Sequence, residues 1–134
     1  GSDLAISSFN DLDGMTVAVQ KETTSDELMS DYKSTGTIDV EIVANEKVTS
    51  CFTQLTNGEV DAIVVDSTVA DGYVAQNPDK YTIVYQDEKE PEQFGIAMGL
   101  KNTALKSAID EALAQMEEDG FIKETYDYWF GSAE

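Results

Sequence analysis

One carboxylate and a run of hydroxyls stand where this chain could do chemistry. In NGEVDAIVVD (57–66) an Asn-Gly pair closes a helix and an apolar run then carries Asp66 to the C-terminal tip of a buried strand. About forty residues earlier VAVQKETTS (17–25) makes a similar delivery, a strand that runs into Thr23, Thr24 and Ser25 at the opening of a helix. The first N–H groups of a helix have no intrahelical acceptor and sit at the positive end of its dipole, so with these hydroxyls they favour an anion of carboxylate size. Ordinary capping uses the same residue types, is worth about 1 kcal/mol and needs no ligand; Asp66, ahead of Ser67-Thr68, is equally suited to cap a helix. In an open α/β sheet, ligands bind outside the carboxyl ends of the strands, so both segments point at one place, half of a small-molecule site. Asp61, at the start of its strand, is at the wrong end and reads as turn chemistry.

Other chemistries are excluded by what the chain lacks. With no His there is no His-containing triad and no His-ligated metal. Cys51 is the single cysteine, and Val48, Cys51, Phe52 and Leu55 follow helical spacing, so it reads as a small buried apolar residue. The sequence contains no dinucleotide fingerprint, P-loop, Cys-rich metal pattern or calcium loop, so no catalytic residue, metal or cofactor is expected. Eight Lys+Arg against 27 Asp+Glu leave a net charge of -19. A field of that sign repels phosphate backbones and anionic lipid, so no nucleic-acid partner is expected. Tyr126, Trp129 and Phe130 have the spacing of a helical core stripe rather than of a ligand cage. No apolar run is long enough to span a membrane.

The elements that must position these residues alternate regularly. Strands are expected at 15–20, 38–44, 60–65 and 81–85, and helices at 24–33, 48–56 and 68–76, the first with a Thr24/Glu27 capping box. The acidic stretch 86–93 reads as a linker. Beyond it come a short strand at 94–98, a helix at 103–118 with an apolar stripe, and a last helix at 121–130. The expected fold class is α/β: a three-layer lobe whose central mixed, mostly parallel sheet is flanked by helices, plus a C-terminal helical segment.

GMTVAVQKETTSDEL, NGEVDAIVVD, FGIAMGLKNTAL and DGFIKETYDYWFG, in that order, resemble the polar amino-acid solute-binding proteins of ABC importers, which have the type II periplasmic-binding-protein fold. The resemblance implies that 1–11 are a tag remnant and hinge lead-in, 12–93 are lobe two, and 94–134 are the returning hinge strand and terminal helices of lobe one. It implies binding of an amino acid or similar polar solute for uptake, with an ABC permease as partner, in an extracytoplasmic setting, periplasmic or as a cell-surface lipoprotein. Most of lobe one, with the Arg that grips the ligand's α-carboxylate, has no counterpart; the chain contains no Arg. By the same resemblance Thr23 and Thr24 hold the ligand's α-carboxylate, Asp66 accepts from its α-ammonium and Gln20 lies along its side chain. Lys21 and Ser67 are further candidates. The family commonly has Gly where this chain has Glu22, which implies either a cationic ligand or an altered loop.

Two alternatives share the fold: a periplasmic dehydratase of the cyclohexadienyl or arogenate type, which would need a positioned general acid, and the sensory domain of a receptor kinase. Alone, this half is expected to bind weakly or not at all. Its C-terminal stripe, evolved to cover a sheet that is not present, is expected either to fold back on this chain's own sheet edge or to pair with a second copy as a homodimer, the second being favoured.

Overall fold

The computed structural model describes residues 5–87 and 95–130. The chain divides into two compact units, Gly1–Asp87 and Glu88–Glu134.

In the N-terminal unit a short 3-10 turn, Phe9–Leu12, leads into β1 (Thr16–Gln20), α1 (Thr24–Ser34), β2 (Glu41–Asn45), α2 (Val48–Asn57), β3 (Ala62–Ile63) and α3 (Ser67–Gln76). The strands form one parallel sheet in the order β2-β1-β3, with Val17 opposite both Ile42 and Ala62. Central β1 is covered on both faces, which is why TVAVQ is apolar at consecutive positions instead of alternating. Val17 and Val19 meet Met29 of α1 together with Leu12, Ile38 and Val40, while Ala18 turns to the other face and meets Cys51 of α2 and Val60. The layers are therefore α1, sheet, α2. Ile6 and Phe9, ahead of residue 12, pack on the first of these clusters.

Helix α2 ends as its sequence requires. Gly58 adopts φ 72°, a left-handed conformation that costs glycine little, and its N–H bonds back to Leu55. An aromatic group then ties α3 to α2. The rings of Phe52 and Tyr73 stack with centroids 3.6 Å apart, and Tyr81 meets Phe52 edge-on at 5.1 Å.

Four expected strands are shorter or absent. Ile38 and Val40 are buried but precede β2, because the backbone around them is engaged elsewhere: Ile38 N–H donates to Tyr32 O, Gly14 N–H donates to Asp39 O, and Asp39 N–H donates to the Asp13 carboxylate. Strand β3 is two residues long, extended by single bonds from Asp61 N to Thr16 O and from Val64 N to Ala18 O. No strand forms at 81–85. Tyr81 and Tyr85 are anchored by ring contacts, Tyr85 against Phe9 at 5.3 Å, while Ile83 and Val84 face solvent with no ladder partner among the described residues. Of the strand expected at 94–98, residue 94 lies outside the described residues and 95–98 form none. The described sheet is thus wholly parallel, not mixed. Most of the linker expected at 86–93 also lies outside the described residues.

The C-terminal unit holds α4 (Thr103–Glu118) and α5 (Phe121–Phe130), joined at Gly120 and in contact with each other. Ion pairs one turn apart, Lys106–Asp110 and Lys123–Asp127, support the exposed faces of the two helices.

Candidate functional site

The sheet order creates the crevice. From β1 the chain crosses through α1 to β2 on one side, then through α2 to β3 on the other, so the direction of progress along the sheet reverses beside the carboxyl end of β1. That reversal is where open α/β sheets bind ligands. Gln20, Thr23 and Thr24 stand at the β1 side of this point; Asp66 and Ser67 stand at the β3 side.

The two threonines have different duties. Thr23, not Thr24, caps α1: its Oγ1 accepts from Asp26 N at 3.3 Å and donates to Gln20 O at 2.7 Å. The expected Thr24/Glu27 box does not form, and the cap lies one residue earlier, at Thr23. The physical reason is the reach of Asp26, whose carboxylate accepts from Glu22 N at 3.0 Å and so closes the turn ahead of the cap. Thr23's hydroxyl is consumed internally. Thr24 is exposed, its hydroxyl enters no hydrogen bond among the described residues, and the N–H groups of Thr24 and Ser25 belong to the first turn, which has no intrahelical acceptors.

Between strand and helix, Glu22 has φ 61°, the one non-glycine residue with positive φ among the described residues. An L side chain there costs on the order of 1 kcal/mol, which explains why glycine suits this position.

Asp66 is the N-cap of α3, yet its backbone alone does the capping. Its carbonyl accepts from Val69 N and Ala70 N, both at 3.0 Å, while the carboxylate makes no cap hydrogen bond. The half-buried side chain is left uncommitted at the sheet edge. Ser67 is exposed as the first residue of α3. Asp61 sits at the opposite end of the sheet, its carboxylate accepting from Thr16 N at 2.8 Å, in keeping with a turn role.

Gln20 and Lys21 lean toward β2 instead. Gln20 Nε2 donates to Glu46 O at 3.4 Å, and Lys21 Nζ pairs with Glu46 Oε1 at 3.1 Å while its N–H continues the ladder to Asn45 O. Lys21 is thereby drawn to the far side of β1 from the crevice. Sequence reasoning gave no weight to Glu46 or Asp26; the Thr23-x-x-Asp26 spacing was the available signal for the second.

Cys51 is buried against Ala18, and burial pushes its thiol above the usual range. That is the environment of an inert packing residue. No cluster of metal-ligating side chains occurs among the described residues. In the C-terminal unit a mainly apolar groove of about 460 Å³ runs between 95–98 and α4, lined by Ile96, Met98, Lys106, Ile109, Asp110 and Leu113. No helix among the described residues is long and apolar enough to cross a membrane.

Three known proteins resemble this chain over most of its length. The ABC transporter arginine-binding protein 1 of Escherichia coli K12 is 26% identical over 126 residues, covering 91% of this chain and 50% of that protein. The glutamate/aspartate import solute-binding protein of Salmonella typhimurium is 26% identical over 127 residues, covering 93% of this chain and 42% of its own length. A solved structure of an ancestral arginine-binding protein bound to arginine superposes with a TM-score of 0.75 at 33% identity, covering 95% of this chain and 55% of that one. The chain thus spans about half the length of the curated relatives it matches. The profile of the bacterial extracellular solute-binding proteins, family 3, matches residues 11–132, and the chain belongs to that family.

Proposed function

We propose that this chain supplies one wall of an amino-acid site in an extracytoplasmic solute-binding protein serving an ABC-type permease. The observation that carries this reading is the pairing, at the carboxyl ends of neighbouring strands, of an uncommitted threonine hydroxyl at a helix N-terminus with an uncommitted carboxylate. An amino acid presents the complement. Its α-carboxylate would rest on the N–H groups of Thr24 and Ser25 and on the Thr24 hydroxyl. Its α-ammonium would be held by Asp66 through charge-assisted hydrogen bonds, roughly twice as strong as neutral ones.

Thr23 acts as a positioning residue that fixes the turn. Gln20 and Ser67 flank the crevice, and Lys21 lies outside it, paired with Glu46. Residues 12–93 would form one lobe, with 94–134 belonging to a second whose remainder is absent from this sequence. Capture would work by closure: a ligand bridging two lobes binds the closed form better and shifts the population toward it. Nothing in this scheme makes or breaks a covalent bond.

The exposed apolar positions of α4 and α5 support a second element of the proposal, that two copies pair through the C-terminal segment.

A single wall gives few contacts and does not exclude water, so binding is expected at millimolar or weaker. Titration of the isotope-labelled chain with amino acids, read by NMR, should move the amides of Thr24, Ser25 and Asp66, and Thr24→Ala or Asp66→Asn should remove the response. Shifts confined to 95–130 would place the site elsewhere, and micromolar binding by the monomer would show that one wall suffices.

A further inference from the structure

Charge at the β1/β3 edge narrows the side chain that the proposed site can accept; this step rests on the amino-acid reading above. Among residues 20–26 and 64–70 Lys21 is the single cation, and its ammonium is held by Glu46 on the β2 side. A ligand bearing a second carboxylate therefore meets no uncommitted positive charge in this wall.

The carboxylates differ in their commitments. Asp26 is engaged by Glu22 N at 3.0 Å and by Ser30 Oγ at 3.5 Å. Asp66 is the partner required by the α-ammonium. Glu22 remains: it is exposed, its carboxylate enters no hydrogen bond or ion pair among the described residues, and it directly precedes the Thr23 cap. Its backbone is fixed by the Asp26 contact, which holds the residue in the turn between the carboxyl end of β1 and the first turn of α1. The net charge of -19 adds a long-range field that concentrates cations and repels anions.

We infer that the site selects amino acids with a positively charged side chain, and that Glu22 is the carboxylate that makes the selection. The α-groups are recognised by Thr24 and Asp66 whatever the side chain; Glu22 discriminates among the ligands that satisfy those two. Its contribution is electrostatic and partly solvated, so it is modest and salt-sensitive.

The test is a set of NMR titrations of the whole chain with L-arginine, L-glutamine and L-glutamate, at low and raised salt. Arginine should move Thr24 and Asp66 at the lowest concentration and glutamate at the highest, and salt should narrow the gap. Glu22→Gln should lower the preference for arginine over glutamine by about threefold, the range of a solvent-exposed ion pair. Glu22→Asp should restore part of it. If glutamine or glutamate matches arginine, or if Glu22→Gln leaves the ratio unchanged, the inference is overturned while the amino-acid reading stands. If no amino acid moves Thr24 or Asp66, the site itself is misplaced and the inference falls with it.

Discussion

Residues 5–87 and 95–130 both contain amphipathic helices, yet only the first group has a core. Val17, Ala18, Val19, Met29 and Cys51 are wholly buried, whereas in the second group Leu105, Leu113, Phe121, Ile122 and Trp129 are exposed and nothing is buried. The difference lies in the sheet. Parallel strands in the order β2-β1-β3 give α1 and α2 a two-sided surface to cover, and each helix buries its stripe there. Within residues 95–130, α4 packs on α5 and borders the segment 95–98 with no sheet between them, and two helices cannot enclose their apolar stripes between them. An amphipathic pattern records which face seeks a partner; it does not supply the partner.

The largest effect should come from cutting into the core that exists. Met29 is 0% exposed between α1 and the sheet, so Met29→Ala removes buried contacts and leaves a cavity, costing about 2–5 kcal/mol. Leu113 is 39% exposed on α4, and Leu113→Ala should change stability by less than about 0.5 kcal/mol. Urea unfolding of both variants checks the contrast. Equal losses would show that the C-terminal unit has a core of its own.

The C-terminal face should respond to association instead. If two copies pair through it, light scattering will detect a dimer that strengthens as salt rises, since each chain carries a charge of -19 and the screening length falls to about 10 Å at 0.1 M. Trp129, 65% exposed, is the large aromatic side chain to remove; Trp129→Ala should weaken the dimer by roughly tenfold or more. A monomer persisting at high salt and high concentration, with unchanged Trp129 fluorescence, would break this half of the comparison.

The helices were legible because their signals are local. Apolar spacing, the Asn57-Gly58 stop and the Thr103–Glu118 stripe each lie within a few turns of chain, and the expected and observed spans agree to within a residue or two. Strands were less legible, because a ladder depends on a neighbour the chain cannot show locally. The segment 81–85 has strand composition but is held by the rings of Tyr81 and Tyr85, and Ile38 is buried without joining β2 because its N–H goes to Tyr32 O. At the candidate site the residues were readable and their commitments were not. Thr23 and Thr24 look interchangeable in sequence; only the bond from Thr23 to Gln20 O shows which hydroxyl is used. The sequence around Lys21 gives no sign of its partner Glu46, twenty-five residues away.

The smallest expected effect sits at the rim of the N-terminal unit and tests how far its order extends beyond the core. The carboxylate of Asp11 accepts from Ser7 N at 2.8 Å, from Ser7 Oγ at 2.9 Å and from Ser8 N at 3.0 Å, and these bonds, led by that from the Ser7 backbone, hold its pKa below the usual 3.8. A carboxylate whose folded pKa lies below its unfolded value stabilises the fold above the unfolded pKa, and the contribution is lost as pH falls through the folded one. Asp11 should therefore titrate below an ordinary aspartate when its side-chain carboxyl is followed by NMR, and the amides of Ser7 and Ser8 should lose protection over the same interval. Asp11→Asn should abolish that step while leaving the burial of Leu12, and with it the core, in place. An ordinary titration, with Ser7 and Ser8 unprotected at neutral pH, would show that the ordered part of this unit begins at Leu12 and that the turn ahead of it is only an approach.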